Sequence, residues 1–146
     1  MPPDRALARD VPRGAVAIIT DAAGRLLLHL RDDIPGIVWP GHWSVLGGGA
    51  DPGEHPDDAI VRELKEEAGL VLATLTPLFE IPDRHGSGQL ISVYHGHWDG
   101  EPALLPLAEG RELRFFPPSH LPALKIPPYL RDAIDRWAGM SDGSEG

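Results

Sequence analysis

The sequence predicts an α/β protein of the α+β type, with a mixed β-sheet sandwiched between helices. Short apolar runs of strand length recur along the chain, and only two stretches repeat their apolar residues at helical spacing. Those two helices fall between and after groups of strands, which suits a sheet covered by helices.

The elements follow in order. Ala15 to Ile19 is an apolar run suited to a buried strand, Asp21-Ala22-Ala23-Gly24 supplies turn chemistry, and Arg25 to Leu30 returns as the next strand. Residues 31–42 contain two prolines and two glycines and read as a loop. Trp43 to Leu46 is a short strand running into Gly47-Gly48-Gly49, which reads as a glycine-rich turn. A helix then begins. Pro56 suits its first position, Asp57 and Asp58 lie at the positive end of its dipole, and Gly69 is a natural stop. Its N-cap is His55, a poorer cap than Ser or Thr. Val71 to Ile81 reads as a strand in which Pro77 implies an edge or a bulge. Gln89 to Trp98 and Glu112 to Phe116 are further strands. Pro128 to Trp137 is the second helix, with Leu130, Ile134 and Trp137 at core spacing and Tyr129 suited to core or site.

At 146 residues the chain is long enough for one domain with a single core. The expected division is a loose leader over 1–12, one domain over 13–140 and a disordered tail over 141–146. There are no cysteines, which excludes disulfides, thiolate metal sites and a cysteine nucleophile. No apolar run is long enough to span a bilayer and no signal-peptide layout opens the chain, so a cytoplasmic protein is expected. The formal net charge of −9 makes nucleic acid an improbable partner, although metal cations can join an acidic protein to a phosphate ligand.

The chemistry concentrates in Gly48 to Leu70. At about 100° per residue, Glu63, Glu66 and Glu67 share an arc of roughly 100° on the first helix. Ile60, Val61, Leu64 and Ala68 form another face, which packs on the sheet. Like charges at i,i+4 repel, whereas hard cations such as Mg²⁺ or Mn²⁺ require clustered oxygen ligands. A solvated acidic face would explain an isolated Glu-Glu pair. Three acids directly behind glycines favour a site for metal and phosphate. Arg62 is within i,i+4 reach of Glu66 and can orient it.

Gly48, Glu54, Arg62, Glu63, Leu64, Glu66, Glu67, Gly69 and Leu70 fill every specified position of G-x5-E-x7-R-E-U-x-E-E-x-G-U, where U is aliphatic. The segment resembles the Nudix box, and a chance match at a given start is far below ~1 in a million. The order of strands around it is also similar to the Nudix fold. Leu46-Gly47-Gly48 departs from the Pro-Gly-Gly common in that family.

The resemblance implies a hydrolase that cleaves a phosphoanhydride in a nucleoside diphosphate derivative, with Mg²⁺ or Mn²⁺ as cofactor. It implies Glu63, Glu66, Glu67 and the Gly47 carbonyl as metal ligands, and Glu54 and Gly69 as structural members of the box. The general base is one of Glu63, Glu66 and Glu67 or a carboxylate outside the box, for which Glu109 is the candidate. The implied partner is a small nucleotide: a nucleoside triphosphate, oxidised forms included, or a nucleotide sugar. The resemblance also admits a homodimer. A non-catalytic Nudix-fold module that binds nucleotide is the alternative, but such modules usually lose box glutamates and this chain keeps them.

Weaker signals lie outside the box. Trp39 and Trp43 flank the loop before it, where an aromatic could stack on a base, and Arg31 could touch a phosphate; together with Gly48 these are the candidate substrate contacts. The two tryptophans and Arg31 also have a plain structural reading, in packing and in a surface ion pair respectively. His95 and His97 alternate on one strand and share a side, without a third ligand to complete a metal site. The arginine-rich signature of coenzyme A hydrolases is absent, and Tyr94 lies too far along for the dinucleoside polyphosphate hydrolases.

Overall fold

The computed structural model describes residues 12–145, with side chains described over 12–140. The strands are β1 (Arg13–Thr20), β2 (Leu26–Leu30), β3 (Trp43–Ser44), β4 (Leu46–Gly49), β5 (Leu75–Pro82), β6 (Leu90–His97) and β7 (Glu112–Phe116). The helices are α1 (Pro56–Ala68) and α2 (Pro128–Glu145), with short 3-10 turns at Pro102–Leu104 and Pro118–Ala123.

β1 is the hub of the sheet. It pairs in parallel with β6 along its whole length, and antiparallel with β4 from Gly14 to Ala17. It meets β2 only at Thr20 opposite Leu26, after which β2 diverges to pair with β7 and β3. β5 closes the other edge against β6, with a register shift between Pro77 and Phe79 where the proline cannot donate to the ladder. The sheet is therefore mixed, as the sequence predicts.

Alternation along β1 separates two cores. Ala15, Ala17 and Ile19 face α1 and meet Ala59, Ile60, Leu64 and Ala68. Val16 and Ile18 face α2 and meet Leu130, Ala133 and Ile134. The alanines let α1 approach the sheet closely, which brings its glutamates up to β4. Each fully buried Ile or Leu contributes about 1.5–3 kcal/mol, so these two layers fix the position of α1.

Several expectations are corrected. Gly47-Gly48-Gly49 is not a turn but most of β4, paired with β1; the turn comes later, at Pro52-Gly53. The single strand expected from Trp43 is broken at Val45 into β3 and β4, which pair with different neighbours. Val61 is 53% exposed, so the buried face of α1 is Ala59, Ile60, Leu64 and Ala68. α2 does not end at Trp137. Its backbone continues helically to Glu145, through most of the expected tail, and Gly139 lies within it without taking the positive φ of a C-cap. The expected leader lies outside the described residues, except for Pro12.

Candidate active site

α1 is held at both ends. His55 caps it, Nδ1 accepting from the Asp57 N–H at 3.0 Å, so the imidazole does the work more often done by serine. Gly69 closes it in the left-handed conformation, φ 63°, donating to the carbonyls of Leu64 and Lys65.

Arg62 organises the acids. Its Nε and Nη2 donate to the two oxygens of Glu54 at 2.9 and 2.8 Å, and Nη2 also donates to the Gly49 carbonyl at 3.0 Å. Nη1 donates to Glu63 at 2.9 Å and Glu66 at 3.1 Å. All five guanidinium N–H groups are thereby used. Glu54 also accepts from the Asp51 N–H at 2.9 Å. The Arg62 hydrogen bonds hold its carboxyl down at about 2.

Glu63 and Glu67 lie between α1 and β4. A Cβ on Gly48 would come within 2.7 Å of the Glu63 carboxylate, and one on Gly47, at φ 147°, within 2.2 Å of the Ala15 carbonyl oxygen. Side chains at either position would hold the strand and the acids apart. The Gly47 N–H donates to Glu67 at 3.3 Å. Burial first, then a hydrogen bond to Glu63 and the charges of Glu63 and Glu109, push the Glu67 carboxyl up to about 8. Two carboxylates that hydrogen-bond to each other share a proton, and a cation can take that proton's place. Glu66 is different: its side chain is 60% exposed against 15% for Glu63. As the side chains stand, no three acidic or imidazole groups among the described residues converge to cage an ion. The donors are nonetheless hard oxygens of the kind Mg²⁺ and Mn²⁺ take.

Beside Gly47, Gly48 and Gly49 opens a cleft of about 210 Å³, lined also by Arg31, Val38 and Trp39 from the loop and by Asp83, Gln89 and Tyr129. Trp39 has φ 51°, the only positive value among described non-glycine residues, and its Nε1 donates to both Asp83 oxygens at 3.2 and 3.1 Å. That bond ties the 31–42 loop to the β5–β6 turn. Arg31 donates to the Val38 carbonyl at 2.6 Å and lines the same cleft. A larger groove of about 990 Å³ lies on the Glu54 side, between the turn before α1 and the β5–β6 edge; Glu63, Glu66 and Glu67 line neither space, and the smaller one adjoins them through the glycines of β4.

Other candidates fall elsewhere. Trp43 is not brought to the cleft: it packs edge-on against Phe116 with centroids 4.8 Å apart, in the core on the α2 side. His95 stacks on Trp137 and bonds Thr20 at 2.8 Å, while His97 pairs with Asp99, so the two histidines do not form a site. Glu109 is exposed in a loop docked on α1, where the Ala108 N–H donates to the Glu67 carbonyl at 2.8 Å. Sequence reasoning passed over Asp83, Gln89 and His29. Only His29 left a signal, as the one polar residue in Leu26-Leu27-Leu28-His29-Leu30.

A mixed sheet between two helices, with a complete glutamate box on α1, defines the class of phosphoanhydride hydrolases to which the box gives its name. The family model described as NUDIX domain matches residues 10–137, and the chain belongs to that family as a Nudix pyrophosphohydrolase. It is 29% identical over 132 residues, 89% of this chain and 83% of the other, to a Bacillus subtilis protein provisionally named 8-oxo-dGTP diphosphatase. It is 42% identical over 62 residues to the nucleoside triphosphatase NudI of Escherichia fergusonii, a stretch covering 41% of this chain and 43% of that one. The MutT protein of Methanosarcina mazei shares the fold with a TM-score of 0.72 at 20% identity, covering 90% of this chain and 97% of its own.

Proposed function

We propose that this protein hydrolyses a phosphoanhydride of a small nucleotide, a nucleoside triphosphate with a normal or oxidised base or a nucleotide sugar, in a reaction dependent on Mg²⁺ or Mn²⁺. The observation that carries the reading is the Glu63–Glu67 pair enclosed between α1 and the glycines of β4. The names of the relatives, a diphosphatase and a nucleoside triphosphatase, support the substrate class.

Glu63, Glu67 and the Gly47 carbonyl would hold the cation, with Glu66 joining once its side chain turns from Arg62. Bound there, a divalent ion neutralises diphosphate charge and lowers the pKa of the attacking water. Arg62 keeps Glu63 aimed, and Glu54 keeps Arg62 in place. The 210 Å³ cleft takes the nucleotide, with Arg31 toward a phosphate and Trp39 as the flat wall for a base. Water adds to phosphorus, the bridging P–O bond breaks, and Glu109 takes the proton of the water.

The test is release of phosphate or pyrophosphate from a panel of nucleoside triphosphates, oxidised forms and nucleotide sugars, with and without Mg²⁺. The expected result is metal-dependent release from at least one of them, with the products showing which phosphorus is attacked. Binding without release from any of them would overturn the reading in favour of a nucleotide-binding module.

A further inference from the structure

We infer that His29 is a positioning residue for this reaction: its imidazole fixes the backbone of Glu109 and so sets where the Glu109 carboxylate stands relative to the acids of α1. The inference rests on the role proposed above for Glu109 and explains how a residue on an exposed loop is kept in place.

His29 lies on β2, is 3% exposed, and its Nε2 is 2.8 Å from the Glu109 carbonyl oxygen. A carbonyl only accepts, so Nε2 carries the proton and Nδ1 is bare. Burial lowers the pKa of the ring and keeps it neutral. Nδ1 is buried without any hydrogen-bond partner, the only such side-chain atom among the described residues. A residue selected for packing alone would be another leucine, like its neighbours on β2, and would leave nothing unsatisfied. The bond from Nε2 is what the imidazole adds.

Glycine at 110 permits the approach. It has φ 84°, and a Cβ there would lie 1.9 Å from His29 Nε2. The same loop is tied twice more, by the Ala108 N–H to the Glu67 carbonyl at 2.8 Å and by the Gly110 N–H to Asp32 at 3.3 Å. Three ties from α1, β2 and the 31–42 loop therefore converge on three consecutive residues, with Glu109 in the middle. Loops that are merely covering a surface have no need of such fixing, whereas a misplacement of about 1 Å in a reacting group can cost about 10²-fold in rate.

The experiment is a double-mutant cycle on the purified protein with Mg²⁺ and the best substrate of the panel. His29→Leu is expected to lower kcat about 10- to 100-fold, with KM within about twofold and Tm unchanged or raised. His29→Gln, which keeps an N–H at similar reach, is expected to recover most of the loss. In the Glu109→Gln background His29→Leu is expected to cost nothing further. Equal losses in both backgrounds would show a general structural role and overturn the inference. A Glu109→Gln variant that loses turnover beside a fully active His29→Leu would overturn the inference and leave the role of Glu109 standing. Wild-type turnover in Glu109→Gln would remove both. If His29→Leu fails to fold, Gly110→Ala, which pushes the loop off the ring, enters the same cycle with the same expectations.

Discussion

Arg62 grips Glu54 through two hydrogen bonds, of 2.9 and 2.8 Å, across eight residues of chain. The pair joins the turn before α1 to the body of the helix, and from it the remaining guanidinium N–H groups reach Glu63, Glu66 and Gly49. Loop, strand and helix are thus referred to one planar group.

Lysine cannot reproduce that geometry, because it offers a point charge and three donors without the fork. Arg62→Lys is expected to lower Tm by several degrees and kcat about 10- to 100-fold, the usual range when a residue that orients a metal ligand is lost. Thermal unfolding and steady-state kinetics check both. An unchanged kcat would mean the acids need no orientation from Arg62.

Glu67 sets a pH dependence. Its carboxyl is pushed up to about 8 from an ordinary 4.5, so the folded metal-free protein holds that proton more tightly than the unfolded chain. The linked stability is therefore complete below the unfolded value and is lost as pH climbs through about 8. The Tm of metal-free protein is expected to fall by ~5 °C or more between pH 5 and 8, and Glu67→Gln to flatten this fall. The same variant should retain its fold and lose ~10²-fold or more in turnover with saturating Mg²⁺. A pH profile of Tm identical in wild type and variant would refute the assignment of the shared proton.

The two tryptophans around the loop before the box separate by place. Trp39 lines the cleft and Trp43 packs on Phe116. Trp39→Ala is expected to raise KM about tenfold, in line with the loss of one stacked base, with a smaller fall in Tm than Trp43→Ala because Ser87 still donates to the buried Asp83. Trp43→Ala is expected to cost about 3 kcal/mol of stability and leave KM unchanged. Denaturant unfolding beside kinetics distinguishes them, and the reverse pattern would move the nucleotide out of this cleft.

What was legible in the sequence was local. Helix α1, its Pro56 start, its Gly69 stop and the acid spacing all follow from neighbours within one or two turns. The bulge at Pro77 follows from a missing N–H. What the sequence concealed depends on distant partners. Gly47 to Gly49 look like a turn until β1 is seen to pair with them, and Val61 looks buried until α1 is seen resting on Ala15 and Ala17. Trp39 and Trp43 are alike in composition and neighbourhood; a bond to Asp83, 44 residues on, separates them. The contact between His29 and Glu109 spans 80 residues, and no spacing rule reaches that far.

Manganese binding offers the sharpest test of the half-buried glutamate pair as a cation site, because the paramagnetic ion can be followed without any substrate. Electron paramagnetic resonance titration should show Mn²⁺ bound by wild type and by Arg31→Ala alike, with affinity lowered about tenfold or more in Glu63→Gln and in Glu67→Gln. Equal Mn²⁺ affinity in all four proteins would contradict the account, since the ion would then be held somewhere other than between α1 and β4.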